Sequence, residues 1–347
     1  MPGCFGIARL LGPSYSLRCV VFHHIASEDS PFTAGINVRA TPEQLEVALR
    51  FLIKYYKPVR LEDVLEDKDG RHLPQRAVLV TFDDAYASVW KVAAPLCKKY
   101  GIPAVYFVNA AFLNNRRLAP DNLICYVANV KGMETVNAAA RTLGLAEFSD
   151  LRSLSEVFSN FFPSITLVER EAFLESLHRL SGVSESHLAE ELALYLTTEQ
   201  LRSLATYDFE IGNHTYSHVH CRRLSGDEFD HEIDRNKSEL EELSGKKVRS
   251  FSLPYGSSRD LTAELASQLK RSGHEAVFLS ESVANLRGAD HFRLDRVNPN
   301  VQGEASFFLD LEILPRLRGV RNQLFRPQSA LMTVAGTANQ NEAANRS

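Results

Sequence analysis

Cysteine is scarce. The five residues, Cys4, Cys19, Cys97, Cys125 and Cys221, are odd in number and never fall at CxxC spacing. That excludes a disulfide framework and a zinc ribbon, and reads as reduced thiols in a cytoplasmic protein. A surplus of charge is also missing: the net charge of −4 leaves no basic footprint for nucleic acid and no long-range pull on an anionic polymer. Long apolar runs are absent too. Phe5, Ile7, Leu10 and Leu11 gather near the start, but Gly6, Gly12 and Pro13 interrupt them. No stretch makes the core of a signal peptide (roughly 7–15 residues) or an integral membrane span, which leaves at most a peripheral membrane contact. There is no internal repeat.

What is present is globular. Hydrophobic content of 44% and charged content of 24% over 347 residues suit one α/β barrel with an insertion better than two separate domains. Ala77 to Val80 reads as a strand buried on both faces, and it breaks at its carboxyl end into Asp83 and Asp84. Carboxylates that close repel unless a cation or a shared proton absorbs the repulsion. About 130 residues on by the numbering, the short strand Phe209 to Asn213 runs into His214-Thr215-Tyr216-Ser217-His218. Two imidazoles four apart share a face if that stretch makes one helical turn. With one carboxylate they form a two-His, one-Asp set with open positions, the pattern of a catalytic metal and a prediction of hydrolysis. Each half alone has a plainer reading. Adjacent aspartates often cap a helix, and histidines at this spacing are often structural, as we read His231, His274 and Cys221 to be.

Thr81-Phe82-Asp83-Asp84-Ala85-Tyr86 resembles the TFDDG(Y/F) motif of the polysaccharide deacetylase (carbohydrate esterase) family. His214 to His218 matches that family's H(S/T)xxH motif, and Ser252-Leu253-Pro254-Tyr255-Gly256 is similar to its RPPYG motif. The three stand in the family's order at strand ends and span residues 77 to 256, with Arg18 to Leu65 and Val277 to Pro299 similar to its flanking strands. The resemblance implies a deformed (β/α) barrel. It assigns Asp84, His214 and His218 to a divalent metal, zinc by preference, and Asp83 to the general base. The Tyr255 backbone N–H, placed by Pro254 and Gly256, becomes the oxyanion donor, with Pro254 and Tyr255 at the substrate. Phe22-His23-His24 loosely resembles a YH pair of the family, which makes His24 a substrate-side candidate with His23 the other choice, in the site or behind it.

The chain departs from the family pattern at several places. A late LxH histidine, the usual general acid, is missing; His291 is the nearest late candidate, with His24 and His220 as substitutes. Ser252 stands where an arginine usually pairs with the base, and Arg296 or Arg293, oriented by Asp295, are the candidates to fill in. Ala85 for the usual glycine suggests a backbone position without positive φ. The two first motifs also lie further apart than in compact members.

The domain organisation read from the pattern is an N-terminal segment 1–16, a barrel over 17–320 with a helical insertion at 113–206, and a disordered tail over 321–347. The insertion is a lid, a specificity surface or a passive appendage. Expected strands include Val59 to Leu61 and Phe292 to Val297. Expected helices include one from Thr41-Pro42-Glu43-Gln44 onward, Leu167 to Leu180, and Glu199 to Leu204 capped by Thr198. The function expected is metal-dependent removal of an N-acetyl group from a sugar, oligosaccharide or glycan precursor. Deformylation or O-deacetylation on the same site, and a non-catalytic glycan-binding role, are the alternatives.

Overall fold

The computed structural model describes residues 15–184 and 192–318; segment 1–16 except its last two residues, Cys4 and the tail 321–347 lie outside it. Seven strands make the barrel wall: β1 (Tyr15–Phe22), β2 (Ala77–Phe82), β3 (Ala104–Val108), β4 (Phe209–Asn213), β5 (Ser250–Ser252), β6 (Ala276–Leu279) and β7 (Leu294–Asp295). They pair in that order and all in parallel. Past β7 the chain returns to the first strand, where Val297 N and O bond Cys19 O and Val21 N, each at 2.9 Å. The sheet is thereby a nearly closed, deformed (β/α) barrel. Asn285–Leu286 runs antiparallel beside the start of β1, and Lys57–Pro58 adds to the start of β2.

Strand parity sorts the core. Leu17, Cys19, Ala77, Leu79, Val105, Phe107, Ala276, Phe278 and Leu294 form one apolar cluster inside the barrel, while Val20, Phe22, Val78, Val80, Phe82 and Tyr106 pack outward under the helices. Ala77 to Phe82 is buried throughout, as parallel strands covered on both faces require. The same parity carries Thr81 and Asp83 into the upper, polar end of the interior. Register aligns the carboxyl ends: Phe22 pairs Phe82 and Val108 pairs Asn213. His23, Asp83, Asn109 and His214 therefore follow on one rim, with Asp83 N donating to Phe22 O at 3.1 Å.

Helix α1 (Pro42–Tyr55) starts from a reciprocal Thr41–Gln44 capping box. Further helices cover the outer face: α2 (Ala94–Tyr100), stopped by left-handed Gly101, then α3 (Pro120–Lys131), α4 (Met133–Arg141), α5 (Leu167–Ser181), α6 (Thr198–Leu204), α7 (Arg235–Ser244) and α8 (Ala263–Arg271). Helices α3 to α6 lie in the segment expected as an insertion. Their Leu123, Val136, Phe173 and Leu177 belong to the apolar cluster that also holds Phe82 and Phe209. No helix among the described residues is long and apolar enough to cross a membrane.

Local expectations shift in three places. Val59 to Leu61 is not a strand: the Asp63 carboxylate accepts from Arg60 N at 2.8 Å, which starts a helix at Leu61. Phe292 to Val297 shrinks to β7, because Asp290 caps a 3-10 turn over His291–Arg293. The cap of α6 is Thr197, exchanging bonds of 3.0 and 3.2 Å with Gln200, rather than Thr198.

Candidate active site

The polar upper end of the barrel holds a buried arginine–aspartate pair. Arg296, 1% exposed, donates from Nη1 to Asp83 Oδ1 and from Nη2 to Asp83 Oδ2, both at 2.7 Å. Its nitrogens also lie within hydrogen-bond distance of Leu279 O (3.1 Å), Thr81 Oγ1 (3.2 Å), Ser280 Oγ (3.1 Å) and Ser252 Oγ (2.7 Å), the last two sharing Nη2 with Asp83. Burial pushes the Asp83 carboxyl up, but the Arg296 guanidinium outweighs burial and holds it below the usual range. The cation expected at position 252 has thus been replaced by one that follows the last strand, and Ser252 leaves the room for it. Arg293 is exposed. The Asp295 carboxylate accepts from Val283 N at 3.2 Å rather than from Arg296, and burial raises it to about 6.

The next residue faces a different set. Asp84 Oδ1 lies 3.3 Å from His214 Nε2 and 3.4 Å from His218 Nε2, and one ligand atom from each of the three lies within 4.8 Å of the others. His214 Nδ1 donates to the Ser252 carbonyl at 2.8 Å, and His218 Nδ1 contacts Asp121 Oδ2 at 2.5 Å. Since a carbonyl only accepts, Nε2 of His214 keeps its lone pair toward Asp84. Burial pushes the Asp84 carboxyl up, but the adjoining His214 and His218 imidazoles outweigh it and hold the carboxyl well below the usual range. His218 is raised: burial lowers it, but Asp121 first and Asp84 after it prevail. Carboxylates that favour a proton there favour a cation equally. The donor set, one carboxylate and two oriented imidazoles, fits a divalent ion such as zinc.

The convergence of His214 and His218 does not use a helical turn. The stretch after β4 is an irregular loop in which Thr215 (φ 61) and His218 (φ 56) are left-handed. Asn109 Nδ2 donates to the carbonyls of His214 and Thr215, and Glu232 accepts from Ser217 N (2.9 Å) and Oγ (2.8 Å). Ala85 is also corrected: its φ is 57, beside 75 at Asp84, so this position does take the left-handed conformation the family's glycine provides.

A cleft of about 380 Å³ opens over both sets, walled by Tyr86, Phe112, Phe158, Tyr255, Asp121 and His23. Of the expected pair, His23 lines it. His24 turns away to Ser88 Oγ (3.1 Å) and packs on Tyr86, and burial lowers it to about 4. Leu253, Tyr255 and Gly256 line the cleft while Pro254 is buried in the turn between them. The Tyr255 backbone is left-handed (φ 61); its ring stacks on His220 at 3.8 Å between centroids, and its hydroxyl donates to Asp121 Oδ1 at 2.8 Å. His220 sits behind that ring on Asp260 (3.0 Å). His291 begins the turn whose Phe292 packs with Leu265 and Leu269. None of the three general-acid candidates, His291, His24 or His220, is a cleft-lining residue. Reasoning from sequence missed Asp121, which no motif marks.

The family model for polysaccharide deacetylase matches residues 70–144 and 159–274, more than half of the chain. The chain belongs to the polysaccharide deacetylase family. Its fold agrees with solved deacetylase structures. The Streptococcus pyogenes deacetylase PplD in complex with acetate is 15% identical with a TM-score of 0.57, over 87% of this chain and 100% of that one. IcaB from Ammonifex degensii is 18% identical with a TM-score of 0.52, over 85% and 96%. A de-N-acetylase from Aggregatibacter actinomycetemcomitans is 18% identical with a TM-score of 0.50, over 81% and 93%. At these identities the likeness is one of fold. No curated protein matches the sequence significantly. The polysaccharide deacetylase match covers Asp83, Asp84, His214, His218 and Tyr255 and ends before Arg296, the residue that completes the ion pair.

Proposed function

We propose that this polysaccharide deacetylase removes an N-acetyl group from a sugar, oligosaccharide or glycan precursor by hydrolysis, with a divalent ion held by Asp84, His214 and His218. The observation that carries the reading is the division of labour between neighbours. Asp84 faces Nε2 of two imidazoles, whereas Asp83, one residue earlier, is held by Arg296.

When bound, the ion supplies Lewis acidity and brings its water near a pKa of about 7. Asp83, kept ionised by Arg296, takes the proton of the attacking water. The Tyr255 N–H, carried by a turn that the ring stack and the Asp121 bond keep in place, donates to the substrate oxygen as charge develops there. His23 is the cleft imidazole outside the ligand set, and we assign it to the leaving-nitrogen side in place of His291. A neutral imidazole, which burial favours here against the pull of Asp84 and Asp83, donates a hydrogen bond there, and the proton that Asp83 took from the water passes to the leaving nitrogen as the C–N bond breaks. The aromatic walls suit a sugar face, and the cytoplasmic location expected from the sequence remains part of this reading.

Arg296 weighs against a binding-only role, because a site that had lost its chemistry has no need of a replacement partner for the base. Acetate release from N-acetylated saccharides, with and without a chelator, tests the proposal. Release that stops on chelation and in Asp84→Ala supports it; release that persists in both overturns it.

A further inference from the structure

Segment 113–206 does more than wall the cleft. Asp121, on the first turn of α3, places one carboxylate oxygen 2.5 Å from His218 Nδ1 and the other 2.8 Å from the Tyr255 hydroxyl. Arg170, on α5 and 5% exposed, donates from Nη2 to the Ser217 carbonyl at 2.6 Å and from Nη1 to Ser217 Oγ at 3.3 Å. Both contacts fall on the loop that bends through left-handed Thr215 and His218. Non-glycine residues hold that conformation only where their surroundings impose it.

We propose that the insertion is a clamp on the metal site: Asp121 orients the His218 imidazole and Arg170 fixes the backbone beneath it, so that Nε2 of His218 is presented to the ion. The two are positioning residues, acting through His218. An ionised carboxylate can only accept, so it holds the proton of a neutral His218 on Nδ1 and leaves Nε2 bare. The same carboxylate accepts a hydrogen bond from the Tyr255 hydroxyl, which ties the metal loop to the turn that carries the Tyr255 N–H. Metal affinity and the geometry of that turn therefore share one anchor, 97 residues from His218 in the chain.

The inference rests on the metal reading above, and the test separates the two. Zinc is titrated calorimetrically into the full chain after chelator treatment, for wild type, Asp121→Asn, Arg170→Met and Tyr255→Phe. Asp121→Asn keeps the shape and removes the charge; Arg170→Met removes the grip on Ser217 from a different helix, so failure of one variant to fold leaves the other decisive. Each is expected to bind zinc at least ~10-fold more weakly. Tyr255→Phe, which leaves the His218–Asp121 bond intact, is expected to bind zinc as wild type does while releasing acetate more slowly. Wild-type zinc affinity in both folded clamp variants overturns this inference alone. A wild-type chain that takes up no divalent ion overturns the metal reading and this inference with it.

Discussion

Arg296 and Asp83 share two hydrogen bonds of 2.7 Å, although 213 residues separate them and each is buried. A pair of this kind contributes little by its presence, yet loss of one partner strands the other charge in a low-dielectric interior. Arg296→Met is expected to cost roughly 3–5 kcal/mol of stability. It also frees the Asp83 carboxyl to rise, so the acidic limb of the pH–rate profile moves to higher pH. Denaturant unfolding and a pH series of acetate release check the two effects.

Ser252 makes the converse point. Its side chain is fully buried, with Oγ 2.7 Å from Arg296 Nη2. Restoring the family's arginine as Ser252→Arg does not repair the motif here. It forces a second guanidinium against the first and is expected to destabilise by roughly 3 kcal/mol or more. Chemical denaturation reads the loss; unchanged stability would mean that Arg296 does not own that space.

Much of this architecture could be read from residues alone, and the exceptions have physical causes. Ala77 to Phe82 declares itself because a strand covered on both faces is a continuous apolar run, so the two aspartates after it had to stand at a rim. Asp84, His214 and His218 were legible through their motifs, though the loop that joins the histidines is not the helical turn their spacing suggested. Ala85 hides its conformation, because alanine ordinarily marks a right-handed or extended backbone, whereas its left-handed φ is enforced by the neighbouring fold. The sequence marked Arg296 as a candidate without deciding between it and Arg293. Asp121 was invisible, since nothing local in Pro120-Asp121-Asn122 points to an imidazole so far along the chain.

Gly256 should tolerate no side chain. Its φ is +66, and a Cβ there would stand 2.5 Å from Ser280 Cβ and 2.7 Å from Ser280 N. Gly256→Ala is expected to cost about 1–3 kcal/mol and to displace the Tyr255 turn. Melting temperature and acetate-release kcat should fall together.

His274 gives a pH-dependent stability. Its Nε2 faces Asn213 Nδ2 at 3.2 Å, and burial, reinforced by Lys237, lowers it from 6.5 to about 4. The unfolded chain binds a proton there first as pH falls, so the stability from keeping this ring neutral is present above pH 6.5 and is lost progressively toward pH 4. The loss amounts to about 3 kcal/mol. Denaturation of wild type and His274→Gln at a series of pH values should show the wild type losing ground across that window; parallel curves would refute the assignment.

The central claim is that one ion is shared by Asp84, His214 and His218. Crystals grown with zinc and measured at the zinc absorption edge test it directly. The account predicts an anomalous peak about 2.0–2.2 Å from the Asp84 carboxylate and from Nε2 of both histidines. A peak only at the Asp67, Asp69 and His72 group, or none at the barrel rim, would contradict it.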